Sequence, residues 1–88
     1  MKEYECKSIF ERLSTMKGLI KNKKRIYLYG DANTGKKFIV EQLEFFMMDN
    51  NYDDTNIIIS RTKPPNPTGN YAIVHFIGTY NRSHNNYS

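Results

Sequence analysis

Arg25-Ile26-Tyr27-Leu28-Tyr29-Gly30-Asp31-Ala32-Asn33-Thr34-Gly35-Lys36-Lys37 is the stretch that decides the fold. Ile26 and Leu28 alternate with Tyr27 and Tyr29, the period of a strand. The run stops at Gly30, and a helical pattern starts at Lys36 and runs to about Met48. Ile39, Leu43, Phe46 and Met47 make its apolar stripe, with Glu41 and Glu44 on the exposed side. Asp49-Asn50-Asn51 stops it. Strand, glycine loop and helix in the spacing G-x-x-x-x-G-K are the pattern of a phosphate-binding loop. The two glycines let the backbone curl without a Cβ in the way. Backbone N–H groups from Asp31 to Lys37 then point inward as an anion nest. The following helix adds the positive end of its dipole, and Lys36 supplies a full charge for β- and γ-phosphate oxygens.

Two side chains work against this chemistry. Asp31 puts a carboxylate beside the phosphate path unless it turns to solvent or pairs with Lys37. Lys37 stands where such loops carry Ser or Thr, whose hydroxyl helps hold Mg²⁺. An ammonium there disfavours a metal ion while leaving phosphate binding intact.

Upstream, Ile9, Leu13, Met16 and Ile20 recur on one helical face, which predicts a helix over 8–20. Ser8 and Glu11 have the spacing of a capping box, and Gly18 is placed to end the helix early. Lys17 to Arg25 carries five positive charges and no acid. It reads as a solvated linker, with a phosphate-facing or nucleic-acid-facing strip as the alternative. Downstream, a polar turn over 51–55 precedes a strand from Asn56 to Arg61, buried on both sides if anything covers it. Three prolines keep Lys63 to Asn70 irregular. A further strand spans Tyr71 to Thr79, and residues 80–88 read as a frayed tail. No helical pattern separates the last two strands, which favours a hairpin over parallel neighbours.

The expected fold is thus small α/β: a truncated P-loop-like unit of helix, strand, P-loop and helix followed by two strands. It forms one domain over 1–88. With 88 residues, the chain falls short of a full P-loop NTPase, which needs roughly 150 residues or more. It reads as a fragment or remnant of something larger, or as a small protein that borrowed the loop. Twelve aromatic residues (Tyr 7, Phe 5) argue against general disorder. The net charge of +4 tilts towards anionic partners. A single cysteine, Cys6, excludes an internal disulfide and suits a reducing compartment. No apolar run has the length of a membrane span, and the N-terminus has no apolar signal region. The glycosylation sequons at Asn81 and Asn86 read as chance in an Asn-rich tail.

Lys17 to Met47, about a third of the chain, resembles the nucleotide-binding segment of superfamily 3 helicases. These are the replicative helicases of small DNA viruses such as papillomaviruses and parvoviruses. The residues that carry the resemblance are Lys23-Lys24-Arg25-Ile26-Tyr27-Leu28-Tyr29 and then Gly30-Asp31-Ala32-Asn33-Thr34-Gly35-Lys36. The Ala-Asn-Thr-Gly-Lys core is more specific than a bare G-x-x-x-x-G-K. The resemblance implies that Gly30, Asn33, Thr34, Gly35 and Lys36 line a phosphate site for ATP. It also implies a viral replication protein, inside the cytoplasm or nucleus of a host cell.

The sequence departs from that family downstream. No strand ends in the acid that would hold Mg²⁺ and activate water. Phe45-Phe46-Met47-Met48-Asp49 fits a helix face, and Asp53-Asp54 precedes a strand as a solvated turn. Ile57-Ile58-Ile59-Ser60 and Thr79-Tyr80-Asn81 are faint echoes of the family's polar sensor strand, and Arg61 or Arg82 is available as an arginine finger in principle. No catalytic residue and no metal ligand is assigned. His75 reads as a half-buried strand residue and His84 as solvated. Tyr27, Tyr29, Tyr71, Phe76 and Tyr80, flanked by Lys24, Arg25 and Arg61, offer an aromatic face of the kind that stacks single-stranded bases.

Two functions follow as expectations. The first is ATP phosphate binding without hydrolysis by the chain alone. The alternative is a small basic viral protein that binds nucleic acid or a replication partner, with a silent loop.

Overall fold

The structure, a computed structural model, describes residues 3–23, 25–66 and 68–79. The expected frayed tail at 80–88, with Arg82 and His84, lies outside the described residues. Among the described residues six elements follow in chain order: β1 (Glu3–Cys6), α1 (Ile9–Ile20), β2 (Arg25–Tyr29), α2 (Lys36–Asp49), β3 (Asn56–Ser60) and β4 (Tyr71–Phe76). The fold is a small α/β unit with two helices and one four-stranded parallel sheet, ordered β1-β4-β2-β3.

Local chemistry sets the helix ends. Ser8 Oγ accepts from the Glu11 amide at 3.0 Å, and the Glu11 carboxylate accepts from the Ser8 amide at 2.9 Å, closing the capping box. Gly18 does not end α1. A mid-helix glycine costs only about 1 kcal/mol, and the buried Leu19 and Ile20 just beyond it outweigh that. α2 ends where Asn51 takes a left-handed φ of 61°.

β1 is unexpected. Its signal, Glu3 and Glu5 alternating with Tyr4 and Cys6, is only four residues long. The hairpin expected from the last two strands is also absent. β3 and β4 flank β2 on opposite sides, and both run parallel to it. The physical reason lies in the connection. Ten residues of extended chain reach about 33 Å, enough to travel back along a five-residue strand without a helix. The prolines favour that extended path. Handedness then fixes its route. From β1 to β2 to β3 the chain advances across the sheet with both helices on one face. The return to β4 steps backwards, so a right-handed crossover must pass over the other face. Lys63 accordingly meets Glu3 there, at 2.8 Å.

The core lies between sheet and helices. Cys6, Ile26, Leu28, Ala72, Val74 and Phe76 from the strands meet Met16, Leu19, Ile20, Ile39, Leu43 and Met47 from the helices. Phe46 is only partly buried at its margin. β4 and β2 are the inner strands, β4 the more buried; β3 is an edge, with Ile59 42% exposed. The condition for burying β3 on both sides, a cover over each face, is therefore not met.

Candidate functional site

The Gly30–Lys37 loop sits at the C-terminal ends of the parallel strands, where open α/β sheets characteristically hold ligands. Its shape has local causes. Asn33 and Gly35 both take left-handed φ, 65° and 79°. Asn is the non-glycine residue that tolerates this best. Gly30 is required by space instead: a Cβ there would stand 2.6 Å from the Phe76 carbonyl oxygen of β4 and 3.1 Å from Thr34 Oγ1. Thr34 is buried, and its hydroxyl donates to the Asp31 carbonyl at 2.9 Å.

Lys36 opens α2 and folds back over the loop. Its Nζ donates to the carbonyls of Gly30 (2.7 Å) and Asp31 (2.8 Å), with Thr34 Oγ1 at 3.2 Å. Burial lowers its pKa, Arg61 lowers it further, and Asp31 opposes both. Arg61, just beyond β3, is therefore a second cation in the field of Lys36. No acid lies in the first turn of α2 to cancel its dipole.

Asn33, Thr34, Gly35, Lys36 and Lys37, with Phe38 and Ile59, border one open cavity of about 340 Å³. Gly30 and Asp31 join through the carbonyls that Lys36 holds. Ala32 is exposed and does not border the cavity. The residues singled out in sequence are thus largely brought together.

Arg12 is the residue that sequence reasoning missed. It projects from α1, is 2% exposed, and ties the loop to the sheet. One guanidinium nitrogen, Nη1, donates to the Thr34 carbonyl. The other, Nη2, donates to the carbonyls of Ile77 (2.8 Å) and Gly78 (3.2 Å) just after β4. The guanidinium lies 4.8 Å from the Phe76 ring centroid, a favourable cation–π arrangement. Desolvation by burial lowers its pKa. The signal was available: Arg12 falls within the apolar stripe, three residues after Ile9 and four before Met16.

The other candidates separate from the loop. The basic strip enters β2 at Arg25, whereas the loop leaves it after Tyr29, about 13 Å further on. The strip therefore does not face the loop. Lys23 Nζ instead reaches Asn70 Oδ1 at 3.2 Å, and Lys17 lies over the Phe46 ring at 5.4 Å. Lys24, part of that strip, and Tyr80, of the aromatic face, lie outside the described residues. The aromatic face divides. Phe76 points into the core. Tyr29 stacks on His75 at 4.3 Å and donates to Glu3 at 2.6 Å, while Tyr27 packs edge-on against Tyr71. Each of these tyrosines thus has another ring beside it.

Ser60 ends β3 opposite Tyr29, and its hydroxyl donates to the Thr62 carbonyl at 2.7 Å. The second sensor echo runs into undescribed residues at Tyr80. Glu3, Glu5 and His75 gather within 4.8 Å on the face opposite the helices. Glu3, however, already accepts from Lys63 and Tyr29, which hold its carboxyl below the usual range. No helix among the described residues is long and apolar enough to cross a membrane. Comparison of the chain with protein-family models, curated proteins and solved structures finds no match.

Proposed function

We propose that Gly30–Lys37 is a P-loop that binds the phosphates of a nucleotide, ATP foremost, as the resemblance to superfamily 3 viral helicases implies. The observation that carries this reading is the seat of Lys36. Its ammonium lies within the loop at the start of α2, hydrogen-bonded to the carbonyls of Gly30 and Asp31. An entering phosphate draws Lys36 off those carbonyls and meets the amides from Asp31 to Lys37 at a helix N-terminus.

The function proposed is binding rather than turnover. Lys37 occupies the metal-coordinating position, and β3 ends in Ser60 rather than an acid. Three cations, Lys36, Lys37 and Arg61, supply the neutralising charge that a metal ion would otherwise bring.

Titrating ATP against the chain and against Lys36→Ala, with and without Mg²⁺, tests the proposal. Binding that Mg²⁺ does not strengthen, and that Lys36→Ala weakens by about tenfold or more, is expected. Equal binding by both proteins, or none by either, removes the proposal. Lys36-dependent ATP turnover by the purified chain overturns its non-hydrolytic half.

A further inference from the structure

β3 leaves one long side of the sheet unpaired among the described residues, because its only strand neighbour is β2. Exposed sheet edges ordinarily carry a lysine, a proline or a bulge that blocks pairing with another chain. Asn56-Ile57-Ile58-Ile59-Ser60 has none of these and no charge. Next to it, α2 exposes Phe45 (72%) and Met48 (68%). These two border a groove of about 460 Å³ with Glu44, Met47 and Asp53, the last in the turn that leads into β3.

We infer that β3 is the seam of a symmetric dimer, in which two copies of this chain pair their β3 strands antiparallel about Ile58. The strand is self-complementary in that register. Asn56 meets Ser60, Ile57 meets Ile59, and Ile58 meets itself on the two-fold axis. The flanks favour the same arrangement. Each β3 is preceded by the acidic turn Asp53-Asp54 and followed by Arg61. Antiparallel pairing sets the acidic turn of one copy beside Arg61 of the other, whereas parallel pairing would set like charges together. A two-fold axis perpendicular to the sheet keeps both helical layers on one side. Each α2 then faces its counterpart across the axis, and Phe45 and Met48 supply apolar area that a five-residue strand pair lacks by itself.

Sedimentation equilibrium of the full chain is the test. A monomer–dimer equilibrium is expected. Ile58→Lys places two ammonium groups opposite each other on the axis and weakens association about tenfold or more, with circular dichroism reporting that the fold is kept. Arg61→Glu and Asp53→Lys each weaken association, and the double variant restores it. A wild-type chain that stays monomeric at its highest soluble concentration, or that forms other oligomers, overturns the inference. So does a dimer that survives Ile58→Lys. If Ile58→Lys fails to fold, the charge-swap pair decides: a double variant no tighter than the singles overturns the inference.

Discussion

Arg12 and Thr34, 22 residues apart in sequence, are joined by a buried hydrogen bond from the guanidinium of α1 to a carbonyl inside the glycine loop. The same guanidinium holds the chain that leaves β4. The loop's conformation is therefore braced by two other parts of the fold, and does not rest on its glycines alone.

Arg12→Ala removes that brace and leaves the buried Thr34 carbonyl and the part-buried Ile77 carbonyl without their donor. Orphaned groups of this kind cost about 1–3 kcal/mol each, so a loss of about 3 kcal/mol is expected in urea denaturation. That is a large share of the 5–15 kcal/mol typical of a domain. Arg12→Lys keeps the charge but not the planar fork that reaches both partners, and should recover only part of the loss. Recovery of full stability by lysine would show that charge, rather than the fork, is what matters.

Gly30→Ala tests close approach rather than backbone freedom. The added Cβ would press on a backbone oxygen of β4, which has little room to move. A destabilisation of about 1–3 kcal/mol is expected, read as a lower denaturant midpoint. An unchanged midpoint would mean that the loop and β4 separate freely.

Much of this architecture was readable in the residues. The capping box at Ser8 and Glu11, the alternation in β2 and the stripe Ile39, Leu43, Met47 are local patterns, and local patterns survive into the fold. Strand order was not readable. A hairpin and a pair of strands flanking a third differ only in where a loop travels, and ten irregular residues carry no periodicity to report it. β1 escaped because four residues hold too short an alternation. At the site, the loop residues were legible from spacing. The place of Arg12 on the buried face of α1 was legible from spacing too, but its role was not, because that role depends on three carbonyls, in the glycine loop and after β4, that only the folded chain brings together.

Lys37→Thr should change how the loop treats metal. It removes one ammonium and introduces a hydroxyl at the place where P-loops help to coordinate Mg²⁺. The expected outcome is weaker ATP binding without metal and a new strengthening on adding Mg²⁺, measured by calorimetry beside the unaltered chain. Identical Mg²⁺ dependence in the two proteins would remove Lys37 from the account.

Tyr29 predicts an alkaline weakness. Its phenol is pushed from 10.0 up to about 12, first by burial and then by its hydrogen bond to Glu3. Above pH 10 the unfolded chain loses this proton while the folded chain keeps it. Stability therefore falls as pH rises between 10 and about 12. Urea midpoints below and above pH 10 should show that fall, and Tyr29→Phe should flatten it. A slope unchanged by the substitution would assign it to other groups.

The position of β4 has a further consequence, for how the chain is made. β4, the last of the described strands in chain order, is the one that lies between β1 and β2. Glu3 must wait for Ile73, with nearly the whole chain between them, before its strand has a partner. Until then α1 and α2 have only part of a sheet to cover. The loop waits as well: Gly30 rests against Phe76, and Arg12 grips Ile77 and Gly78, only when β4 has arrived. β4 thus serves as the keystone of the sheet, and the glycine loop cannot take its braced shape ahead of that strand.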